Sequence, residues 1–234
     1  MIRAMGRGIA FMPVLATLMW LFACGSAERV GTSPRPRVHA GTGEDAGWPL
    51  IITFGDSLSA GYGVEPGEGY PDFLRESLRE AGYEYRVRNA GISGDTTGGG
   101  LARVESVAGM EPAIVILELG GNDGLRGLPL ETTRANLERI ITTLKDRGIE
   151  VVLAGMKLPP NYGPDYTREF EQLYRDLAAG HGLPLIPFLL EGVAGHPDLM
   201  QRDGIHPTAA GNRMVAANVM KTLEPLLLPE GKFN

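Results

Sequence analysis

The apolar run AIVIL at positions 113–117 constrains the fold of this chain more than any other segment. No polar residue interrupts it at alternate positions, so a strand formed here would be covered on both faces. Strands of this kind belong to parallel sheets that carry helices on each side. Four further segments have strand character, and with the first they predict strands over 50–54, 85–89, 113–119, 151–156 and 185–188.

Helix-like segments lie between the predicted strands. In the segment 131–147, Leu137, Ile140, Ile141 and Leu144 follow the spacing that places apolar side chains on one face of a helix. Helices are predicted over 70–81, 99–108, 131–147, 165–181 and 207–227, with Pro207 suited to the first turn of the last one. Five strands alternating with helices predict an α/β fold with one doubly wound parallel sheet and no second domain.

The first 23 residues have the layout of a secretory signal peptide. Arg3 and Arg7 precede a 14-residue apolar stretch, which is too short for a comfortable membrane span. The single cysteine, Cys24, follows directly, and LFAC at positions 21–24 resembles a bacterial lipobox, in which the cysteine is lipidated. Two alternatives stay open: ordinary signal-peptidase cleavage after Ala27, which gives a soluble secreted protein, and a cytosolic protein with a buried cysteine.

The segment after the signal is predicted to be a flexible tether. Residues 24–47 are rich in Gly, Pro, Ser and Thr and contain almost no large apolar side chain. The folded domain is therefore expected over 48–234. The net charge of −6 and the lack of a Lys/Arg cluster argue against nucleic acid as a partner. No clustered set of Cys, His and carboxylate residues suggests a metal site.

Four polar segments stand at the ends of predicted strands or before the last helix. GDS at 55–57 follows the first strand, and NAGISGDT at 89–96 follows the second. GGND at 120–123 follows the third strand, and DGIHP at 203–207 precedes the final helix. Because loops that follow parallel strands emerge at one edge of the sheet, we expect these segments to converge.

Together the four segments carry the groups that acyl transfer needs. Ser57 is the candidate nucleophile, and His206 is the base that would remove its proton. Asp203, three residues before His206, can hold the second ring nitrogen. The backbone N–H groups of Ser57 and Gly94 and the amide of Asn122 are suited to stabilise charge on a carbonyl oxygen. Taken one at a time, the motifs are also compatible with ordinary turns and caps.

In this order, the four blocks resemble the SGNH (GDSL) hydrolase superfamily. Its pattern is Gly-Asp-Ser, a block-two glycine, Gly-x-Asn-Asp and Asp-x-x-His. The residues around the blocks are similar to the bacterial periplasmic branch, which contains acyl-thioesterase, lysophospholipase and arylesterase enzymes. The similar stretches are ISGDT at 92–96, ELGGNDGLRG at 118–127 and LPPNYG at 158–163, and the resemblance covers about residues 50–227.

The resemblance implies a three-layer α/β/α, flavodoxin-like fold with five parallel strands. It implies a serine hydrolase that cleaves acyl esters or thioesters through an acyl-serine intermediate, without a cofactor. Ser57 would be the nucleophile, His206 the base and Asp203 its orienting carboxylate, with an oxyanion hole formed by Ser57, Gly94 and Asn122. The segment 158–163 would be a mobile wall of the acyl site, with substrate contacts from Leu158, Pro159, Asn161 and Tyr162.

Export out of the cytoplasm would limit the substrates that the protein can meet. Lysophospholipids or exogenous esters with medium to long acyl chains suit a protein on the periplasmic side of a membrane better than cytosolic acyl-CoA. We expect a monomer that is attached to the membrane by a lipid on Cys24. Two other functions stay compatible with the sequence: an acetyl-esterase acting on envelope polysaccharide, and a binding lipoprotein whose hydrolase site is inactive.

Overall fold

Five strands and seven α-helices alternate along residues 47–227, the part of the chain that the computed structural model of the protein describes. The strands are β1 (Leu50–Gly55), β2 (Arg86–Asn89), β3 (Ile114–Glu118), β4 (Glu150–Ala154) and β5 (Leu185–Ile186). The helices are α1 (Ser57–Ala60), α2 (Tyr70–Glu80), α3 (Thr97–Ala108), α4 (Gly121–Leu125), α5 (Leu130–Lys145), α6 (Pro164–His181) and α7 (Ala209–Leu223). The predicted signal peptide, Cys24 and all but the last residue of the predicted tether lie outside the described residues.

The sheet has the strand order β2-β1-β3-β4-β5, and every pair of neighbours is parallel. This is the flavodoxin-like order of a doubly wound sheet. The chain moves from β1 to β2 in one direction and then returns across β1 to β3. The predicted three-layer α/β/α fold with five parallel strands is therefore confirmed.

The reversal of direction after β2 places helices on both faces of the sheet. Crossovers between parallel strands are right-handed as a rule, so opposite directions of travel put their helices on opposite faces. In agreement, α2 packs against α7, while α3 packs against α5 and α5 contacts α6. Strands β1 and β3 are consequently buried along their whole length, as the uninterrupted apolar run predicted for β3.

The apolar stripe predicted for the segment 131–147 faces the core. Leu137, Ile140, Ile141 and Leu144 of α5 are all fully buried. At about 25 cal/mol for each Å² of apolar surface removed from water, such side chains are the main source of stability for the layer. No helix within residues 47–227 combines the length and apolar character needed to cross a bilayer.

Most predicted elements differ from the observed ones by one to four residues at an end, and two of these differences have a clear physical reason. The last helix begins at Ala209 rather than Pro207, because the Thr208 hydroxyl accepts the backbone N–H of Gly211 and caps the helix there. Pro207 instead pairs with Met200 in an isolated antiparallel bridge. Strand β5 stops at Ile186 and not at Phe188, because Pro187 has no N–H to continue the ladder.

Candidate active site

The carboxyl ends of β1 and β3 lie side by side in the middle of the sheet, where the chain diverges toward opposite edges. Crevices at such a position are where open α/β sheets bind ligands. Helix α1 begins at Ser57, two residues after the end of β1. Helix α4 begins at Gly121, three residues after the end of β3. Ser57 and Asn122 are therefore carried by one-turn helices that sit at the same edge of the sheet.

A continuous chain of hydrogen bonds joins Ser57, His206 and Asp203. The hydroxyl oxygen of Ser57 lies 2.9 Å from Nε2 of His206. On the other side of the ring, Nδ1 of His206 lies 2.6 Å from Oδ2 of Asp203. With the proton of the neutral ring on Nδ1, that nitrogen donates to Asp203 and leaves Nε2 to accept from Ser57. The structure thus brings together the three residues that the sequence singled out.

A tight turn presents the ring of His206. Oδ1 of Asp203 accepts the backbone N–H groups of Ile205 and His206, at 2.9 Å and 3.0 Å. Gly204 between them has a φ of +68°, a backbone conformation that glycine adopts without strain. Because Oδ1 holds the turn, Oδ2 is left to the imidazole, and one side chain fixes both the loop and the ring.

Asp203 remains ionised well below neutral pH. Its partial burial acts to raise the pKa, but hydrogen bonds from the ring and backbone of His206 and from the backbone of Ile205 outweigh this and lower the pKa to about 2. The carboxylate is therefore negative wherever an imidazole can be neutral. It can stabilise a positive charge that develops on the His206 ring.

The backbone N–H groups of Ser57 and Gly94 are two of the three predicted oxyanion donors. Neither donates a hydrogen bond to any group within residues 47–227. Gly94 has a φ of +81° and is exposed, and its carbonyl oxygen accepts from Arg126 at 3.0 Å. Glycine adopts this conformation without strain, and a Cβ atom there would meet only Nη2 of Arg126, at 3.9 Å.

The third predicted donor, Asn122, is engaged. Its amide nitrogen donates to Oδ2 of Asp56 at 2.9 Å and to the carbonyl oxygen of Asp95 at 3.0 Å. The second bond holds Asn122 next to the loop of Gly94. To meet a substrate oxygen, the amide must share one of these hydrogens or exchange one partner for the substrate.

Apolar side chains surround this edge of the sheet. The four large hydrophobic side chains that are most exposed among the described residues include Tyr62 (53%), Ile92 (52%) and Ile205 (42%). The ring of Tyr62 lies 4.5 Å from that of His206, centroid to centroid. Ile92 belongs to the loop of Gly94, and Ile205 lies between Asp203 and His206. The contacts between Ser57, His206 and Asp203 are thus bordered by exposed apolar side chains.

The segment 158–163 folds against α4. The hydroxyl of Tyr162 donates to the carbonyl oxygen of Leu125 at 2.9 Å, and the side chain of Leu158 fills the space next to Gly124. Pro159 and Asn161 are exposed. Two of the predicted substrate-binding residues thus support the helix that carries Asn122, while the other two face solvent.

Sequence reasoning missed three buried or half-buried residues that hold this edge together. Asp56 accepts from Asn122 and from the backbone N–H of Leu58 at 3.0 Å. Glu118 lies fully buried beneath the Ser57 turn. A charged residue that ends an otherwise apolar strand was the signal for Glu118, since ionisable side chains are seldom fully buried without a reason.

Arg103 is the third missed residue, and its guanidinium group binds both the loop after β2 and the end of β1. It donates to Oδ2 of Asp95 at 2.8 Å and to the carbonyl oxygens of Ala90 and Gly55 at 2.7 Å and 2.9 Å. Its guanidinium also lies 4.4 Å from the ring centre of Phe54. The loop that carries Gly94 is thereby fastened to the end of β1.

No group of three or more His, Cys, Asp or Glu side chains within residues 47–227 is arranged to hold a metal ion. The groups assembled at the edge of the sheet are instead a hydroxyl, an imidazole, a carboxylate and three N–H donors. This set suits nucleophilic attack by an oxygen on a carbonyl carbon.

Known proteins resemble this chain in both sequence and structure. Residues 53–214 match the GDSL-like Lipase/Acylhydrolase family. Esterase TesA of Pseudomonas aeruginosa is 44% identical over 185 residues, which cover 79% of this chain and 92% of that protein. Thioesterase 1/protease 1/lysophospholipase L1 of Escherichia coli K12 is 39% identical over 178 residues, covering 76% and 84%. A crystal structure of TesA superposes with a TM-score of 0.73 at 46% identity, covering 76% of this chain and 99% of that one.

The matched region begins within β1 and ends within α7, so it contains all four polar segments and the sheet between them. Both the sequence match and the structural match extend over most of each relative. The resemblance to SGNH hydrolases that the motifs indicated is confirmed, and the chain belongs to the GDSL-like lipase/acylhydrolase family.

Proposed function

We propose that this serine hydrolase of esters and thioesters uses Ser57 as its nucleophile, His206 as its general base and Asp203 to orient the ring. The observation that carries the proposal is the unbroken set of contacts from Ser57 through His206 to Asp203, at 2.9 Å and 2.6 Å. Nε2 of His206 would take the hydroxyl proton as Ser57 attacks the acyl carbon, and would return it to the leaving group. Water activated by the same ring would then release the acyl group.

The charge on the acyl oxygen would be met by donors from three elements. Ser57 and Gly94 offer backbone N–H groups that no other residue in the described range uses, and Asn122 offers its amide. The two backbone N–H groups are fixed before the reaction and need no reorganisation as charge develops, which is why such donors lower the barrier strongly. The amide of Asn122 would first share or exchange one of its present partners.

Substitution of Ser57 tests the assignment. We expect Ser57→Ala to keep its fold and to lose at least about 10⁴-fold in kcat, the size of loss that removal of a triad member causes. Ser106→Ala, at an exposed serine of α3, is the matched control and should keep full activity. A folded Ser57→Ala protein with near-normal kcat would remove Ser57 from the role of nucleophile.

The substrate we propose is an ester with a medium or long acyl chain, such as a lysophospholipid. The exposed apolar side chains around Ser57 and the segment 158–163 next to α4 support this choice. The relative from Escherichia coli is named a thioesterase and lysophospholipase. A panel of p-nitrophenyl esters from acetate to palmitate, run beside lysophosphatidylcholine, tests it. Activity on acetate alone would favour the acetyl-esterase alternative instead.

We also propose that the protein is exported and lipidated on Cys24, and acts as a monomer at the periplasmic side of a bacterial membrane. The support lies in the sequence: Arg3 and Arg7, the apolar stretch after them, and the lipobox-like LFAC. Mass spectrometry of the mature N-terminus should find a diacylated Cys24. An unmodified N-terminus at Glu28 would establish a soluble secreted form.

A further inference from the structure

Glu118, the last residue of β3, is fully buried and takes no part in the contacts between Ser57, His206 and Asp203. One of its oxygens, Oε2, accepts three hydrogen bonds from the residues on either side of Ser57. They come from the backbone N–H of Asp56 at 3.1 Å, the backbone N–H of Ser59 at 3.2 Å and the hydroxyl of Ser59 at 2.8 Å. A single buried oxygen atom of Glu118 therefore holds the turn that carries Ser57, the proposed nucleophile.

The turn needs this support, because α1 has only four residues and cannot hold a fixed orientation by its own hydrogen bonds. Ser59 is fully buried, and its hydroxyl also contacts the hydroxyl of Tyr70 at 2.8 Å. Tyr70 is the first residue of α2 and is itself fully buried. Through Ser59, Glu118 connects the nucleophile turn to a second helix of the core.

The contacts of Glu118 also connect the Ser57 turn to Asn122, a proposed oxyanion donor. Glu118 holds the backbone of Asp56, and the carboxylate of Asp56 accepts from the amide of Asn122 at 2.9 Å. Displacement of Glu118 would therefore move Ser57 and Asn122 together. A shift of about 1 Å in reacting groups can lower a rate by about 10²-fold.

The surroundings of Glu118 favour its neutral form. Its other oxygen, Oε1, is buried and has no hydrogen-bond partner within residues 47–227. Asp56, Tyr70 of α2 and Tyr174 of α6 interact with it electrostatically, and none of them is a cation. The guanidinium of Arg103 in α3 also reaches this edge, through the carbonyl oxygen of Gly55, but it is paired with the carboxylate of Asp95. Burial, and then the negative charge of Asp56, raise the pKa of Glu118 well above its usual 4.5.

We propose that Glu118 is a positioning residue for the nucleophile turn, and that it performs this role as an uncharged carboxylic acid. Its three accepted hydrogen bonds set where the Ser57 hydroxyl meets His206, and they set the place of Asn122 through Asp56. The inference rests on the proposed role of Ser57 and adds a residue that never touches the substrate.

Two substitutions separate the parts of the proposal. Glu118→Gln keeps a carbonyl oxygen of the same size and position but can carry no charge. We expect it to retain kcat and KM within about threefold, with a pH profile parallel to that of the unsubstituted protein between about pH 5 and pH 9. Glu118→Ala removes the acceptor of all three bonds, and we expect kcat to fall about 10²-fold with KM nearly unchanged. Glu150→Gln and Glu150→Ala, at the exposed start of β4, are matched controls and should change neither constant.

Each outcome decides a part of the inference. A Glu118→Ala protein that is folded and has normal kcat would overturn the positioning role. A Glu118→Gln protein as impaired as Glu118→Ala would overturn the uncharged form. If Glu118→Ala does not fold, Ser59→Ala is the alternative, because it removes one of the three donors and should still lower kcat. An unchanged kcat in Ser59→Ala would contradict the positioning role of Glu118.

A separate measurement keeps failure of this inference distinct from failure of the proposed function. A fluorophosphonate probe should label the unsubstituted protein at Ser57, and Glu118→Ala should be labelled more slowly at that same residue. If the unsubstituted protein is not labelled at Ser57, the proposed nucleophile is wrong, whatever the Glu118 variants do.

Discussion

Asp203 divides its two carboxylate oxygens between the backbone of its own turn and the ring of His206. The same side chain thereby shapes a loop and selects the ring tautomer. Asn122 divides its two amide hydrogens in a similar way, between Asp56 and the loop of Gly94. In Asp203 one oxygen holds the turn so that the other can hold the ring, whereas in Asn122 both hydrogens hold the amide in place.

The Asn122 amide gives a prediction at this scale. Asn122→Ala should lower kcat by about 10²- to 10³-fold with little change in KM, because the lost donor acts on charge that develops only in the transition state. Steady-state kinetics on one p-nitrophenyl ester measures both constants. Asn218→Ala, which removes an amide that donates to Leu189 and Glu191, should leave kcat unchanged. Equal losses in the two variants would mean that Asn122 acts only through stability.

The convergence of Ser57, Asp203 and His206 could be predicted from the sequence because it depends on a general rule, that loops after parallel strands share one edge. Their catalytic roles stay predictions until the substitutions are made. Glu118 and Arg103 could not be placed in the same way. The charge at the end of an apolar strand marked Glu118 as unusual but did not show its partners, and Arg103 looked like part of an ordinary helix. The importance of both comes from contacts with residues that are distant in the chain.

At the scale of elements, α1 and α4 are the parts of the fold that the hydrophobic pattern did not predict. They have four and five residues, too few for a repeating apolar stripe, and α4 contains two glycines. The longer helices were predicted to within a few residues, because a stripe over several turns is a strong signal. The site is thus built on the two elements with the weakest signal, and tertiary contacts determine their form.

Close packing of α1 onto the end of β3 predicts a low tolerance for side chains at Gly55. A Cβ atom there would overlap Oε2 of Glu118 and the hydroxyl of Ser59, and would lie 2.7 Å from the carbonyl oxygen of Glu118. We expect Gly55→Ala to lower the free energy of unfolding by about 3 kcal/mol, the upper range for overpacking, and to abolish most activity. Urea denaturation and an ester assay measure the two effects.

Gly180 near the end of α6 offers the matched control, since a Cβ there meets no atom within 4 Å. Gly180→Ala should stabilise the protein by up to about 1 kcal/mol, as replacement of a helical glycine does, without any effect on activity. A Gly55→Ala protein as stable and active as Gly180→Ala would show that the nucleophile turn is not held tightly against Glu118.

At the scale of the whole molecule, the buried Glu118 links stability to pH. Below its usual pKa of 4.5, the carboxyl is protonated in both the folded and the unfolded chain. Above that pH the unfolded chain releases the proton while the folded protein keeps it, so the folded protein binds more protons and its stability falls as pH rises. Asp56, whose pKa burial also raises, contributes in the same direction.

Glu118→Gln removes the contribution of Glu118 to this dependence. The difference in unfolding free energy, variant minus unsubstituted protein, should therefore grow as pH rises above 4.5, by at most about 1.4 kcal/mol for each pH unit. Urea denaturation at about pH 5 and pH 8 gives the slope. A difference that does not change with pH would indicate that Glu118 is ionised in the folded protein.

The contact between Ser57 and His206 joins residues 149 positions apart. The ring of His206 reaches the hydroxyl of Ser57 only when α7, the last α-helix, has docked. Helix α7 packs on α2, which follows α1 in the chain and precedes β2. A chain still emerging from the ribosome therefore contains Ser57 without the imidazole that contacts it in the folded protein. Formation of this 2.9 Å contact thus reports that the described chain has completed its fold from the first strand to the final helix.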